Sequence, residues 1–122
     1  MTKANTAFRH VIYTGHHTQL VLMSIAPGDD IWLETHNGID QFFRIDSGSG
    51  KAVIDGNEYT LSDWSGIIVP SGAKHNIINT SSTEPLKLYT LYSPPHHKDA
   101  ITRKTKEEAE EDAPEFDGKT TE

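Results

Sequence analysis

Four side chains stand out for the chemistry their types and spacing allow: Glu34, His36, Gln41 and His75. Glu34 and His36 are two apart, and side chains two apart in an extended segment project from one face, so both reach one point. Gln41 follows the turn signal Asn37-Gly38 and opens the run Gln41, Phe43, Ile45, which alternates against Phe42, Arg44, Asp46. With Phe43 and Ile45 facing a core, Gln41 faces it too. His75 comes from a distant stretch, just after the turn Pro70-Ser71-Gly72-Ala73-Lys74. Two imidazoles, one carboxylate and one amide oxygen converging inside a barrel are donors for one divalent ion: Mn, Fe, Zn, Co or Ni. A metal-free polar cluster is the alternative, but a buried carboxylate is costly unless it is paired or holds a cation. Trp32 shares a face with Glu34, and Phe43 and Asn79 are further candidates for lining or supporting the cavity; Asn79 is also placed to bond hairpin backbone.

Positioning these groups requires strands. Short β-rich runs at residues 9–14, 19–25, 42–46, 51–54, 58–61, 66–69, 75–79 and 86–92 are separated by Pro27-Gly28, Asn37-Gly38, Ser47 to Gly50, Asp55-Gly56-Asn57, Ser71-Gly72 and the polar stretch 80–85. Regular short strands broken by turn residues indicate an all-β sandwich or barrel. Asp55-Gly56 is the strongest hairpin signal. After Pro94-Pro95 the composition changes: residues 104–112 favour a helix but carry almost nothing apolar, which makes a solvated helix, and residues 113–122, broken by Pro114 and Gly118, suggest a disordered tail. The expected organisation is a barrel over residues 8–93, an extension over 94–112 with a short helix, and a tail over 113–122.

Composition narrows the function classes. With 122 residues, one core is expected. The net charge is −7, and residues 103–122 contribute four basic and eight acidic groups to it. An acidic chain with no basic stripe does not neutralise phosphates along a duplex or an anionic membrane surface, so neither nucleic acid nor membrane is an expected partner. No run of eighteen apolar residues occurs and residues 1–7 lack an apolar signal region, so a soluble, cytoplasmic protein is expected. Zero cysteines leave no thiolate ligand, thiol nucleophile or disulfide. Among the other histidines, His16-His17 fall in a loop and His96-His97, after two prolines, fit a surface or packing role or a cover for the barrel mouth. Asp40 fits a turn, and Trp64 fits packing.

At the four ligand candidates the sequence resembles the cupin family. Gly28 is followed after five residues by Glu34-Thr35-His36, then Gln41 and Gly48, the frame of the first cupin motif, with Glu34 in place of its first His and Gln41 in place of its Glu. Pro70, Gly72, His75 and Asn79 match the second motif at its spacing, with Trp64 where that motif begins with Gly. The resemblance covers residues 8–93 and implies a double-stranded β-helix, a jelly-roll barrel. More narrowly, Glu34-Thr35-His36 with Asp40-Gln41-Phe42, the run from Val69-Pro70 to Asn79, and Leu86 to Thr90 followed by Pro94-Pro95-His96-His97 look like small cupins described as similar to mannose-6-phosphate isomerase. Zinc-dependent phosphomannose isomerases also use two His, one Glu and one Gln.

The expected function is a metal-binding cupin for a small oxygenated metabolite, with a sugar or sugar-phosphate isomerase as the leading enzyme version. That version needs a base, which the sequence does not identify, and a phosphate needs a convergent Lys or Arg, for which Lys74 is the only near candidate. A non-haem iron oxygenase is the alternative, because Glu34, His36 and His75 amount to two His and one carboxylate. A non-catalytic small-molecule-binding module is the third. Phe42 and Arg44 alternate outward from Gln41, Phe43 and Ile45, so a large apolar side chain falls on the outer face of the barrel. A homodimer would cover it, as cupins frequently do; otherwise the segment from Phe8 to Thr14 folds over it.

Overall fold

Alternation of buried and exposed side chains builds the molecule. The computed structural model describes residues 1–122. It contains ten strands and one helix: β1 (Arg9–Thr14), β2 (Gln19–Ile25), β3 (Glu34–Thr35), β4 (Asp40–Ser47), β5 (Gly50–Ile54), β6 (Asn57–Leu61), β7 (Gly66–Val69), β8 (Lys74–Asn79), β9 (Leu86–Ser93), β10 (Thr102–Arg103) and α1 (Lys106–Glu111). A six-stranded sheet in the order β10-β1-β2-β9-β4-β7 faces a four-stranded sheet in the order β3-β8-β5-β6, all pairs antiparallel. This is the all-β jelly roll that the sequence indicates. Every second residue of β4, β8 and β9 is buried, and Val21, Met23, Ile25, Phe43, Ile45, Ile77, Leu86 and Leu88 fill the space between the sheets. Burial of such apolar area is the main stabilising term of a fold this size.

Turn chemistry holds at two positions that decide register. Asp55 and Gly56 both have positive φ, 49° and 83°, the two-residue hairpin geometry that Asp-Gly favours. Trp64 has φ of 73°, a left-handed conformation that costs a side chain energy. Its N–H donates to the Ile45 carbonyl at 2.8 Å. The second cupin motif's glycine at this place therefore has a conformational reason.

Several expectations change on folding. The extension after residue 93 carries a strand that the sequence did not indicate: β10 pairs with β1 at the edge of the larger sheet. The helix is not simply solvated: Thr105 caps it by accepting from the Glu108 N–H at 3.1 Å, Ala109 is buried, and Lys106 reaches Asp29 and Asp30 at 2.8 Å each. Residues 113–122 are not a free tail. The Phe116 N–H donates to the His96 carbonyl at 3.0 Å, Lys98 N–H to Pro114 at 3.1 Å, and Thr121 exchanges hydrogen bonds with Thr14 at 2.8 Å. Composition missed this because backbone groups, not apolar side chains, make the contacts. β1 pairs edgewise with β2 in the same sheet and does not fold over the outer face bearing Phe42. No helix is long and apolar enough to cross a membrane.

Candidate metal centre

Register brings the ligand candidates together. Glu34 on β3 pairs directly across from His75 on β8, which places the two side chains side by side on the inner face. His36 follows β3, and its carbonyl accepts from the Gly72 N–H at 3.0 Å, tying that loop to the turn before β8. One ligand atom from each of Glu34, His36 and His75 lies within 4.8 Å of the others. Gln41 enters the same interior from β4, opposite Tyr92 of β9.

Hydrogen bonding orients each donor. The His75 Nδ1–H donates to the Ala73 carbonyl at 3.1 Å, which leaves the Nε2 lone pair free. The Gln41 amide donates from Nε2 to the Thr90 hydroxyl at 3.0 Å, leaving Oε1 free. Nε2 of His36 lies 2.8 Å from Glu34 Oε2 but lacks the alignment of a hydrogen bond. His75 Nε2, His36 Nε2 and Gln41 Oε1 are all buried and without partners. Two unpartnered lone pairs, on His75 and Gln41, beside a carboxylate and a third buried ring nitrogen are a costly arrangement in a metal-free core and a natural one around a cation. The residues present therefore fit a divalent metal.

Burial sets the charge state. His75, 1% exposed, has its pKa pushed below the usual imidazole value, chiefly by loss of water, with the Ala73 carbonyl and Glu34 opposing. A neutral imidazole is the metal-ligating form. Around the cluster lie groups the sequence did not assign. The His96 ring sits 4.4 Å from the His36 ring, tilted by 57°, and burial lowers its pKa as well. His97 is buried at 5% exposure, contacts the Tyr92 hydroxyl through Nε2 at 3.2 Å, and is pushed down to about 2 by burial and the Arg9 charge. Burial pushes the Tyr92 hydroxyl up to about 12. Gln19 pins the two histidines: its Oε1 accepts from both backbone N–H groups, at 3.2 Å and 3.0 Å, and its Nε2 donates to the His97 carbonyl at 2.7 Å. His96 and His97 thus belong to the inner polar cluster rather than the surface.

A cavity of about 410 Å³ opens on the cluster, lined by Arg9, Trp32, Glu34, His96, His97 and, from the C-terminal segment, Ala109, Glu110, Ala113 and Glu115. Trp32 lines it as expected, with Lys106 Nζ 5.0 Å from its ring centre and Phe8 edge-on at 5.5 Å. Phe43 packs against His75 at a ring separation of 6.2 Å. Asn79 is elsewhere: its Nδ2 donates to the carbonyls of Ile25, Ala26 and Glu84 and its Oδ1 accepts from the Ser81 N–H, so it clasps two backbone segments, 25–26 and 81–84. Asp40 accepts from the Ser71 N–H as a turn carboxylate, and His16 and His17 are exposed. Lys74 lies exposed on the strand face away from His75, whereas Arg9 is the cation that lines the cavity.

Residues 21–92 match the model of the cupin domain. The chain belongs to the cupin family. This cupin is 44% identical over 114 residues to the uncharacterized protein YrkC of Bacillus subtilis (strain 168), covering 88% of this chain and 61% of YrkC. It is 46% identical over 99 residues to the uncharacterized protein L612 of Acanthamoeba polyphaga mimivirus, covering 79% of this chain and 62% of L612. The chain therefore spans about three-fifths of the length of these two relatives. The crystal structure of BH2720 from Bacillus halodurans superposes with a TM-score of 0.89 at 39% identity, over 91% of this chain and 88% of that one.

Proposed function

We propose that this cupin holds one divalent metal through Glu34, His36, Gln41 and His75 and uses it to bind a small oxygenated metabolite in the adjoining cavity. The observation that carries the reading is the convergence of buried, unpartnered lone pairs on Gln41 and His75 with the His36 imidazole held 2.8 Å from the Glu34 carboxylate. When bound, the metal supplies Lewis acidity to an oxygen of the ligand. The chain does the rest: Ala73 and Thr90 orient two of the donors, and the C-terminal segment forms one wall of the cavity.

Isomerisation of a hydroxy-carbonyl compound such as a sugar is the enzyme version with most support. It needs a group that takes a proton from one carbon and returns it to the neighbour, and His96 is a neutral imidazole on the cavity wall beside His36. The donor set of two His and one carboxylate supports a second reading, an iron-dependent oxygenase. Elemental analysis of protein purified without a chelating column tests the shared claim. One divalent ion per chain is expected, lost in H36A and H75A and weakened less in Q41A, since an amide oxygen is the poorer donor. Undiminished metal in both histidine variants refutes the site. Solvent deuterium exchange into a hydroxy-carbonyl substrate supports isomerisation, and oxygen consumption with Fe(II) supports the oxygenase. Tight ligand binding with neither identifies a binding module.

A further inference from the structure

Arg9 occupies a position where an arginine is costly. It is an inward-facing residue of β1, 5% exposed, and its Nε and Nη1 are buried with no acceptor. None of the chain's ion pairs includes it. The guanidinium lies 5.6 Å from the Phe8 ring centre, a contact that supplies no acceptor. A buried guanidinium always carries its charge, so an unpaired one is retained at the expense of stability. The same residue lines the cavity that opens on Glu34, His96 and His97.

We infer that Arg9 is the anion-recognition residue of the cavity, and that the ligand is a small carboxylate carrying a hydroxyl or keto oxygen next to the carboxyl group. The guanidinium fork matches a carboxylate with two parallel hydrogen bonds. The neighbouring oxygen is then the atom that faces the metal-ligand cluster, a point that rests on the metal reading above. Charge selects a carboxylate over a phosphate. Arg9 is the one Lys or Arg on a wall that also carries Glu34, Glu110 and Glu115, so a single negative charge is accepted at the guanidinium and a second is repelled by the surrounding carboxylates. The volume of about 410 Å³ falls in the range of small-molecule sites. His97 adds a supporting observation: burial, and then the Arg9 charge, holds it neutral, so it offers no competing cation.

Calorimetric titration of wild-type, R9Q and R9M protein with pyruvate, lactate, the neutral analogue lactamide and inorganic phosphate tests this, alongside metal content of each sample. Wild type is expected to bind lactate at least about tenfold more tightly than lactamide, the equivalent of one charge-assisted contact. In R9Q the two bind equally, with metal stoichiometry unchanged. R9M is expected to melt at or above the wild-type temperature, because an unpaired buried charge is removed; a lower melting temperature overturns the assignment and makes Arg9 structural. Should R9Q fail to fold, phenylglyoxal labelling of the wild-type arginines, mapped by peptide, replaces it: lactate protects Arg9 and lactamide does not. Retained lactate preference in R9Q, no preference in wild type, or phosphate binding tighter than lactate each refutes the proposal. A wild-type protein without metal that still prefers lactate over lactamide sinks the metal reading and leaves the role of Arg9 standing.

Discussion

Acidification from about pH 6.5 to about pH 5 should destabilise this protein through its buried histidines before any carboxylate titrates appreciably. In the native state His97 is held neutral down to about 2, first by burial and then by the Arg9 charge. In the unfolded chain it takes a proton near its ordinary value of 6.5. Below that value the unfolded state binds more protons than the native state, so unfolding becomes easier as pH falls. One such histidine contributes about 1.4 kcal/mol per pH unit, or about 2 kcal/mol over the window. His75 and His96, whose values are also lowered by burial, add to the slope in the same direction. The assay is urea unfolding at several pH values with a chelator present, comparing wild type with H97Q. Wild type should lose at least about 2 kcal/mol across the window, and H97Q should follow a slope shallower by about 1.4 kcal/mol per unit at its acid end. Parallel curves for the two proteins, or a flat wild-type curve, would refute the buried, neutral state assigned to His97.

Three further outcomes follow from contacts outside the metal cluster. Asn79→Ala removes four hydrogen bonds to the backbone and leaves buried carbonyls unpaired, so it should cost about 2–3 kcal/mol in thermal unfolding. Asn79→Asp, which faces three carbonyls with an acceptor, should cost more than Ala; the reverse order would contradict the clasp. Deleting residues 113–122 should lower stability by about 1–2 kcal/mol after the entropy of the freed chain is counted. An unchanged melting temperature would mean the segment does not dock. We also propose a homodimer through the outer face of the larger sheet, where Leu20, Leu91, Phe42 and Ile68 form one row across β2, β9, β4 and β7, with Ile68 67% exposed. Sedimentation equilibrium should give twice the chain mass and Phe42→Glu should give one; a monomeric wild type rejects the dimer, and a dimeric variant rejects this face.

The parts of the molecule that sequence reveals are those where one strand face is unambiguous. In β4 the apolar Phe43 and Ile45 share parity with Gln41 while Arg44 and Asp46 take the other, so the inward direction of the amide is readable from residue types alone. In β1 that test fails. Val11 marks one face and Ile12 the other, so alternation pairs Arg9 with Val11 without saying that theirs is the inner side. The register of β1 against Met23 and Val21 settles it. The same limit hid His96 and His97: their place is set by Gln19, a buried amide 77 and 78 residues away, and no local pattern announces such a bond. Arg9, which the sequence left unassigned, and His96 and His97 have a common origin. Each is a polar side chain or segment that the fold draws inward at a cost, and each lies on the wall of one cavity. Sequence patterns report where a chain gains by burying residues, whereas a binding site is built from the residues it buries at a loss, so Arg9, His96 and His97 stay hidden from such patterns where the ligand is proposed to bind.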